Sequence, residues 1–132
     1  MKTVLFACVH NSGRSQMAAA LFNAFADPSK ATAISAGTEP AERIHPEVIA
    51  VMREMGLDLA HIKPQKLTNE LAQDAQMLIT MGCGEACPVL PGKLRDDWPI
   101  PDPKGKSLEE VRMIREEISK NVRELIRNQG WR

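Results

Sequence analysis

Val4-Leu5-Phe6-Ala7-Cys8-Val9-His10-Asn11-Ser12-Gly13-Arg14-Ser15-Gln16-Met17-Ala18 changes character twice within a few residues. The apolar run up to Ala7 reads as a buried strand, and Thr3 to Val9 is its expected extent. A tight loop of small and polar residues follows, and helical spacing begins near Ser15. Successive backbone N–H groups in such a loop converge on one point, and the helix N-terminus adds its own. The ring formed by Val9, His10, Asn11, Ser12, Gly13, Arg14 and Ser15 is suited to an oxyanion. It favours the thiolate form of a cysteine pointing into it, so Cys8 is expected to be ionised at neutral pH. Arg14 closes the ring with a planar fork that matches two oxygens of a tetrahedral anion, which lysine does not. Gly13 lets the loop turn without a Cβ in the way. Asn11 suits a left-handed conformation, and its side chain can bond back to the loop. Ser15 can give its hydroxyl to Cys8. His10 either tunes the site or is a polar loop residue with its ring in solvent, and the second reading is preferred. The competing reading of the whole stretch is a glycine turn that holds an inert cysteine. A thiol, an arginine and a helix start in one loop argue against it. The nucleotide-binding loop Gly-x-x-x-x-Gly-Lys-Ser/Thr is absent, so ATP or GTP is not implied.

Outward from this stretch, Met17, Ala18, Leu21, Phe22 and Phe25 recur with helical spacing until Asp27-Pro28. Ala31 to Ala36 suits a second strand ending at Gly37. Pro46 opens a helix with Val48, Ile49, Val51, Met52 and Met55 on its apolar face and Gly56 after its end. Ile62 to Leu67, with Pro64, reads as loop. Thr68 caps a short helix. Met77 to Met81 is a third strand. Gly82 to Pro103 is expected to be loop with one short edge strand around Leu94 to Trp98. Ser107 and Glu110 form a capping box for a last helix, with Leu108, Val111, Ile114, Ile118, Val122, Leu125 and Ile126 on one side. The alternation predicts an α/β fold, a small doubly wound parallel sheet with helices on both faces. Ligands in such folds bind beyond the carboxyl ends of the strands. Cys8 and Cys83 each follow such an end and should share one rim.

The 132 residues correspond to one domain, 1–132. Lysine plus arginine and aspartate plus glutamate number 17 each, so net charge gives no reason to expect nucleic acid or an acidic membrane. No run approaches the roughly 20 apolar residues of a membrane span. The first apolar run soon meets Cys8, His10 and Asn11, which makes it a strand and not a signal, and the cytoplasm is the default location. Three cysteines are an odd number for a disulfide framework.

Cys83 and Cys87 lie in Met81-Gly82-Cys83-Gly84-Glu85-Ala86-Cys87-Pro88, just beyond the third strand. Two such thiols pair if the chain bends enough to bring their Cα atoms within about 7 Å. Two unrelated loop cysteines and a zinc site are the rival readings. Zinc wants four ligands, and His10, His45 and His61 offer no compact second pair, so a redox role ranks above a metal. The three thiols form a relay on paper. Cys8 attacks the anion, Cys83 attacks the sulfur of Cys8, and Cys87 attacks Cys83 and frees Cys8. Asp102, between Pro101 and Pro103, is a candidate proton donor, because proline on both sides limits its wander. By local chemistry alone it is also an ordinary turn aspartate, and Asp96 and Asp97 are equally near. Trp98 is expected to pack or line the rim.

With these residues in place, the whole chain resembles arsenate reductases built on the low-molecular-weight protein tyrosine phosphatase fold. The resemblance rests on Cys8 to Ser15, Ser35-Ala36-Gly37-Thr38, His45-Pro46, Thr80-Met81 with Cys83 and Cys87-Pro88, and Asp102-Pro103. It implies a three-layer sandwich around a four-stranded sheet. It also implies Cys8 as nucleophile, Arg14 as oxyanion ligand, Asn11 and Ser15 as loop supports, Asp102 as general acid, and Cys83 and Cys87 as relay thiols. The implied substrate is arsenate, with phosphate or sulfate as analogues in the site and no cofactor or metal. The implied reductant is thioredoxin, with glutaredoxin and glutathione, or mycothiol, as the alternatives that the short Cys83–Cys87 gap keeps open. The phosphatase branch of the family is the rival activity. The absence of tyrosine, and Lys104-Gly105 after Asp102-Pro103, count against a phosphotyrosine substrate. A non-catalytic anion- or arsenic-sensing module is the third reading.

Overall fold

The computed structural model describes residues 2–82 and 94–132. The expectations for Cys83 and Cys87 therefore lie outside the described residues. The described chain runs β1 (Lys2–Cys8), α1 (Arg14–Phe25), β2 (Ala31–Gly37), α2 (Pro46–Arg53), α3 (Asn69–Asp74), β3 (Met77–Thr80), β4 (Leu94–Asp97) and α4 (Leu108–Gln129). The four strands form one parallel sheet in the order β2-β1-β3-β4. Register sets Cys8 opposite Gly37, Ala7 opposite Thr80, and Thr80 opposite Asp97. All four strands thus end along one edge, where such sheets bind ligands.

Side chains along β1 alternate between two cores, as the two-residue period of a strand demands. Val4, Phe6 and Cys8 face a layer built from α1, α2 and α4. Leu5 and Ala7 face the other side with Leu67, Ala72, Ala75 and Leu78, where α3 lies. The expected layers are present, but the helices are shared unevenly between them. Phe6 is fully buried, and its ring packs on Phe22 at 6.1 Å and on Trp98 at 5.5 Å. Truncating such a side chain costs roughly 3–5 kcal/mol.

The helix signals behave as their chemistry requires. The Thr68 hydroxyl accepts from Leu71 N–H at 3.2 Å. Ser107 and Glu110 form the reciprocal capping box. Helix α2 gives way at Arg53 to a turn, and Gly56, with φ +76°, closes that turn instead of following the helix directly. Leu108 is 43% exposed, so the apolar stripe of α4 starts at Val111. The first turn of α1 carries buried polar residues, Arg14, Ser15 and Gln16. Burying such groups is costly unless each is bonded, and their partners define the site.

Candidate active site

The loop between β1 and α1 is held by its carbonyl groups. Cys8 O accepts from Thr38 N–H at 3.2 Å, Val9 O from Glu39 N–H at 2.8 Å, and His10 O from Ala41 N–H at 2.9 Å. Asn11 O accepts from Gln16 Nε2 at 3.1 Å. Ser12 O accepts from His45 N–H and Gly13 O from Met17 N–H, both at 3.0 Å. Each peptide is trans, so a carbonyl turned toward the 38–45 strap or α1 sends the next N–H to the opposite side. That is the physical basis of the inward-facing amide ring. Cys8, His10, Ser12, Gly13, Arg14 and Asp102 line the small cup it surrounds.

Within the cup, Cys8 is buried and its Sγ stands 2.9 Å from Ser15 Oγ. Asn11 is fully buried in the left-handed conformation expected of it, with φ +51°. Its Nδ2 donates to Ser15 Oγ at 2.7 Å, and its Oδ1 accepts from Gln16 Nε2 and from Gln65 N–H, both at 2.9 Å. Arg14 is 9% exposed and donates from one terminal nitrogen to Ile100 O at 3.1 Å. Its other terminal nitrogen lies 3.9 Å from Asp102 Oδ2. Asp102 Oδ1 accepts from Lys104 N–H at 3.0 Å, the turn bond natural to aspartate. The carboxylate is thereby held at the mouth of the cup, half exposed. Arg14 also lies against Gly82, where a side chain would collide with its guanidinium.

Asp102 and the Cys8–Ser15 loop come together. Asp96 does not join them, since its carboxylate accepts from Trp98 Nε1 at 3.2 Å beside the edge strand. Trp98 is buried on Phe6 and is not a rim residue. His10 is tied to the strap, its Nδ1 3.0 Å from Glu39 O, although it also lines the cup. Gln16, Gln65 and the side chain of His45, whose Nε2 is 3.0 Å from Ser12 Oγ, were not anticipated. A glutamine in a helix's first turn beside a reactive loop is a signal for the first. Gln65 joins the loop only through tertiary folding. Among the described residues, no three His, Cys, Asp or Glu side chains gather into a metal-holding group, and no helix is long and apolar enough to cross a membrane.

Sheet order, loop and cup define a protein of the phosphatase-like α/β class whose cysteine and arginine share one loop between β1 and α1. Residues 3–129 match the low molecular weight phosphotyrosine protein phosphatase family, and the chain belongs to it. A putative arsenate reductase of Halobacterium salinarum is 35% identical, over 91% of this chain and 87% of that protein. A glutaredoxin arsenate reductase of Synechocystis is 36% identical, over 96% and 97%. A thioredoxin-dependent arsenate reductase of Corynebacterium glutamicum superposes with a TM-score of 0.84 at 40% identity. It matches 97% of this chain, which spans 61% of that longer protein.

Proposed function

We propose that this protein reduces arsenate to arsenite through Cys8, Cys83 and Cys87, in the cytoplasm, with thioredoxin as the reductant that recycles it. The Cys8 thiolate attacks arsenic and forms an S–As bond. One arsenate oxygen leaves as water, taking a proton from Asp102. Arg14 and the loop amides hold the remaining oxygens, and removing one such donor costs about 3 kcal/mol in a transition state. The Cys83 thiolate then attacks Cys8 sulfur. An S–S bond forms, the S–As bond breaks, and its electron pair passes to arsenic, which leaves as arsenite. The Cys87 thiolate attacks Cys83 sulfur and releases Cys8, and an external dithiol reduces the resulting Cys83–Cys87 disulfide.

The observation that carries this reading is the position of Gly82. The residue that precedes Cys83 in sequence borders the Arg14 guanidinium. Relatives named for arsenate reduction add weight. The test is arsenite release with thioredoxin and its reductase, compared with glutaredoxin plus glutathione and with mycothiol. Turnover with thioredoxin that collapses in Cys83→Ser supports the relay. Undiminished turnover in that variant removes it, and faster turnover with another donor reassigns the reductant.

One observation favours a second reading. Cys8, Arg14 and Asp102 line one cup without the later cysteines, and these three groups are what phosphate ester hydrolysis needs. Phosphate release from an aryl phosphate that survives loss of both later cysteines, without arsenate turnover, would select it.

A further inference from the structure

We infer that Gln16 is a positioning residue for the reactive thiol. Together with the Gln65 backbone amide, it fixes which way the Asn11 side chain faces, and so makes the Ser15 hydroxyl a donor to Cys8 sulfur. The inference rests on the reading of Cys8 as the group that meets the anion.

A backbone N–H can only donate, so the Asn11 atom 2.9 Å from Gln65 N is the carbonyl oxygen Oδ1. The atom facing Ser15 Oγ at 2.7 Å is then Nδ2, which can only donate. Ser15 Oγ accepts that bond and keeps one proton of its own. Cys8 Sγ stands 2.9 Å away to receive it. A sulfur that is offered a proton is best matched as a thiolate. The chain of donors therefore has one direction, from the amides through Asn11 and Ser15 to sulfur.

Gln16 locks that direction. It is 4% exposed, and Nε2 donates to Asn11 O at 3.1 Å and to Asn11 Oδ1 at 2.9 Å. Both its protons are spent on this one residue, which holds a left-handed backbone and the side-chain amide together. Gln65 is anchored in turn, its own Nε2 donating to Ser35 O in β2 at 2.8 Å.

Two substitutions separate orientation from packing. Gln16→Met removes both donors but leaves the Gln65 amide to hold Asn11 Oδ1. Gln16→Glu sets acceptors against acceptors. The Asn11 amide relieves this by turning, so that Nδ2 faces residue 16 and Oδ1 faces Ser15, at the cost of the bond from Gln65 N–H to Oδ1. The Ser15 proton is then drawn to Asn11, and sulfur loses its donor. The glutamate should do more damage to the thiolate than the methionine.

The experiment is alkylation of the reduced full-length chain by iodoacetamide at neutral pH and on the alkaline plateau, with labelling at Cys8 read by peptide mass spectrometry. The ratio of the two rates reports the thiolate fraction and cancels changes in access. Inorganic phosphate is the occupancy probe, and it should slow labelling of wild-type Cys8. Gln16→Glu should lower the ratio roughly two- to fivefold, because the loss on the order of tenfold expected for a hydrogen bond to a charged group is partly masked where the wild-type sulfur is mostly ionised, and Gln16→Met should lower it by less. Wild-type ratios in both folded variants would overturn the inference, as would a fall in Gln16→Met equal to that in Gln16→Glu. If Gln16→Glu does not fold, an unchanged ratio in Gln16→Met overturns it and a lowered one supports it. Failure of phosphate to protect the wild type overturns the anion cup itself, and the inference with it.

Discussion

Pro103 fills the space that a side chain at position 13 would need: a Cβ built on Gly13 stands 2.6 Å from Pro103 Cγ and 3.3 Å from its Cδ. The residue after Asp102 is thus seated directly on the anion loop. The missing Cβ, read in the sequence as freedom to turn, is also room for the acid's neighbour. Gly13→Ala should push Pro103 outward and carry Asp102 with it. Displacing a proton donor by about 1 Å costs on the order of a hundredfold in rate. Pro103→Ala removes the colliding atoms, so the double variant should recover part of the loss. Turnover across this double-mutant cycle checks the coupling. A double variant as slow as Gly13→Ala would show that the seat does not act through Pro103.

Asp102→Asn should lower arsenate turnover about 10²- to 10⁴-fold, the usual contribution of a positioned acid. Its side chain is 47% exposed, so stability should change by less than ~0.5 kcal/mol. Asp96→Asn should leave turnover close to wild type, because that carboxylate serves Trp98. Paired kinetics and thermal melts of the two variants decide between them.

Arg14→Lys keeps the charge and loses the fork. The guanidinium spans Ile100 O on one side and Asp102 on the other, a reach that a single ammonium does not reproduce. Turnover should fall on the order of a hundredfold or more, while stability falls by about 1 kcal/mol for the lost hydrogen bond. Near-native turnover in the folded variant would remove the two-oxygen role of Arg14.

Glu54 ties the end of α2 to α4. It accepts from Arg112 Nε at 2.9 Å and from Arg115 at 2.7 Å. The hydrogen bond from Arg112, then that from Arg115, holds its carboxyl below the ordinary carboxylate value of 4.5. A carboxylate lowered in the folded state adds stability above its unfolded value, and that stability is lost as pH falls through the folded value. Wild type should therefore melt above Glu54→Gln at neutral pH, and the gap should close below about pH 4. Melting curves of both proteins across that range test it. A gap independent of pH would assign Glu54 a packing role only.

Strand and helix positions were legible because their signals are local. The apolar run before Cys8, the Thr68 cap and the Ser107–Glu110 box each act within one turn or strand, and each stands where expected. The Cys8–Ser15 loop was legible for the same reason. The 38–45 strap was not, since its N–H groups meet the loop carbonyls only when β2 pairs with β1. Gln65, far along the chain from Asn11, was hidden in what read as plain loop. The flanking prolines pointed to Asp102, but excluding Asp96 needed tertiary structure, which shows that only Asp102 reaches the cup.

The most direct test of the central claim is a single turnover without any external reductant. Fully reduced protein is mixed with one equivalent of arsenate and quenched in acid, and arsenite and free thiols are counted together. The relay predicts one arsenite per chain, loss of two thiols, and a disulfide between Cys83 and Cys87 with Cys8 free again. Arsenite formation without loss of thiols at 83 and 87, or no arsenite at all from a chain that still hydrolyses an aryl phosphate, would contradict it.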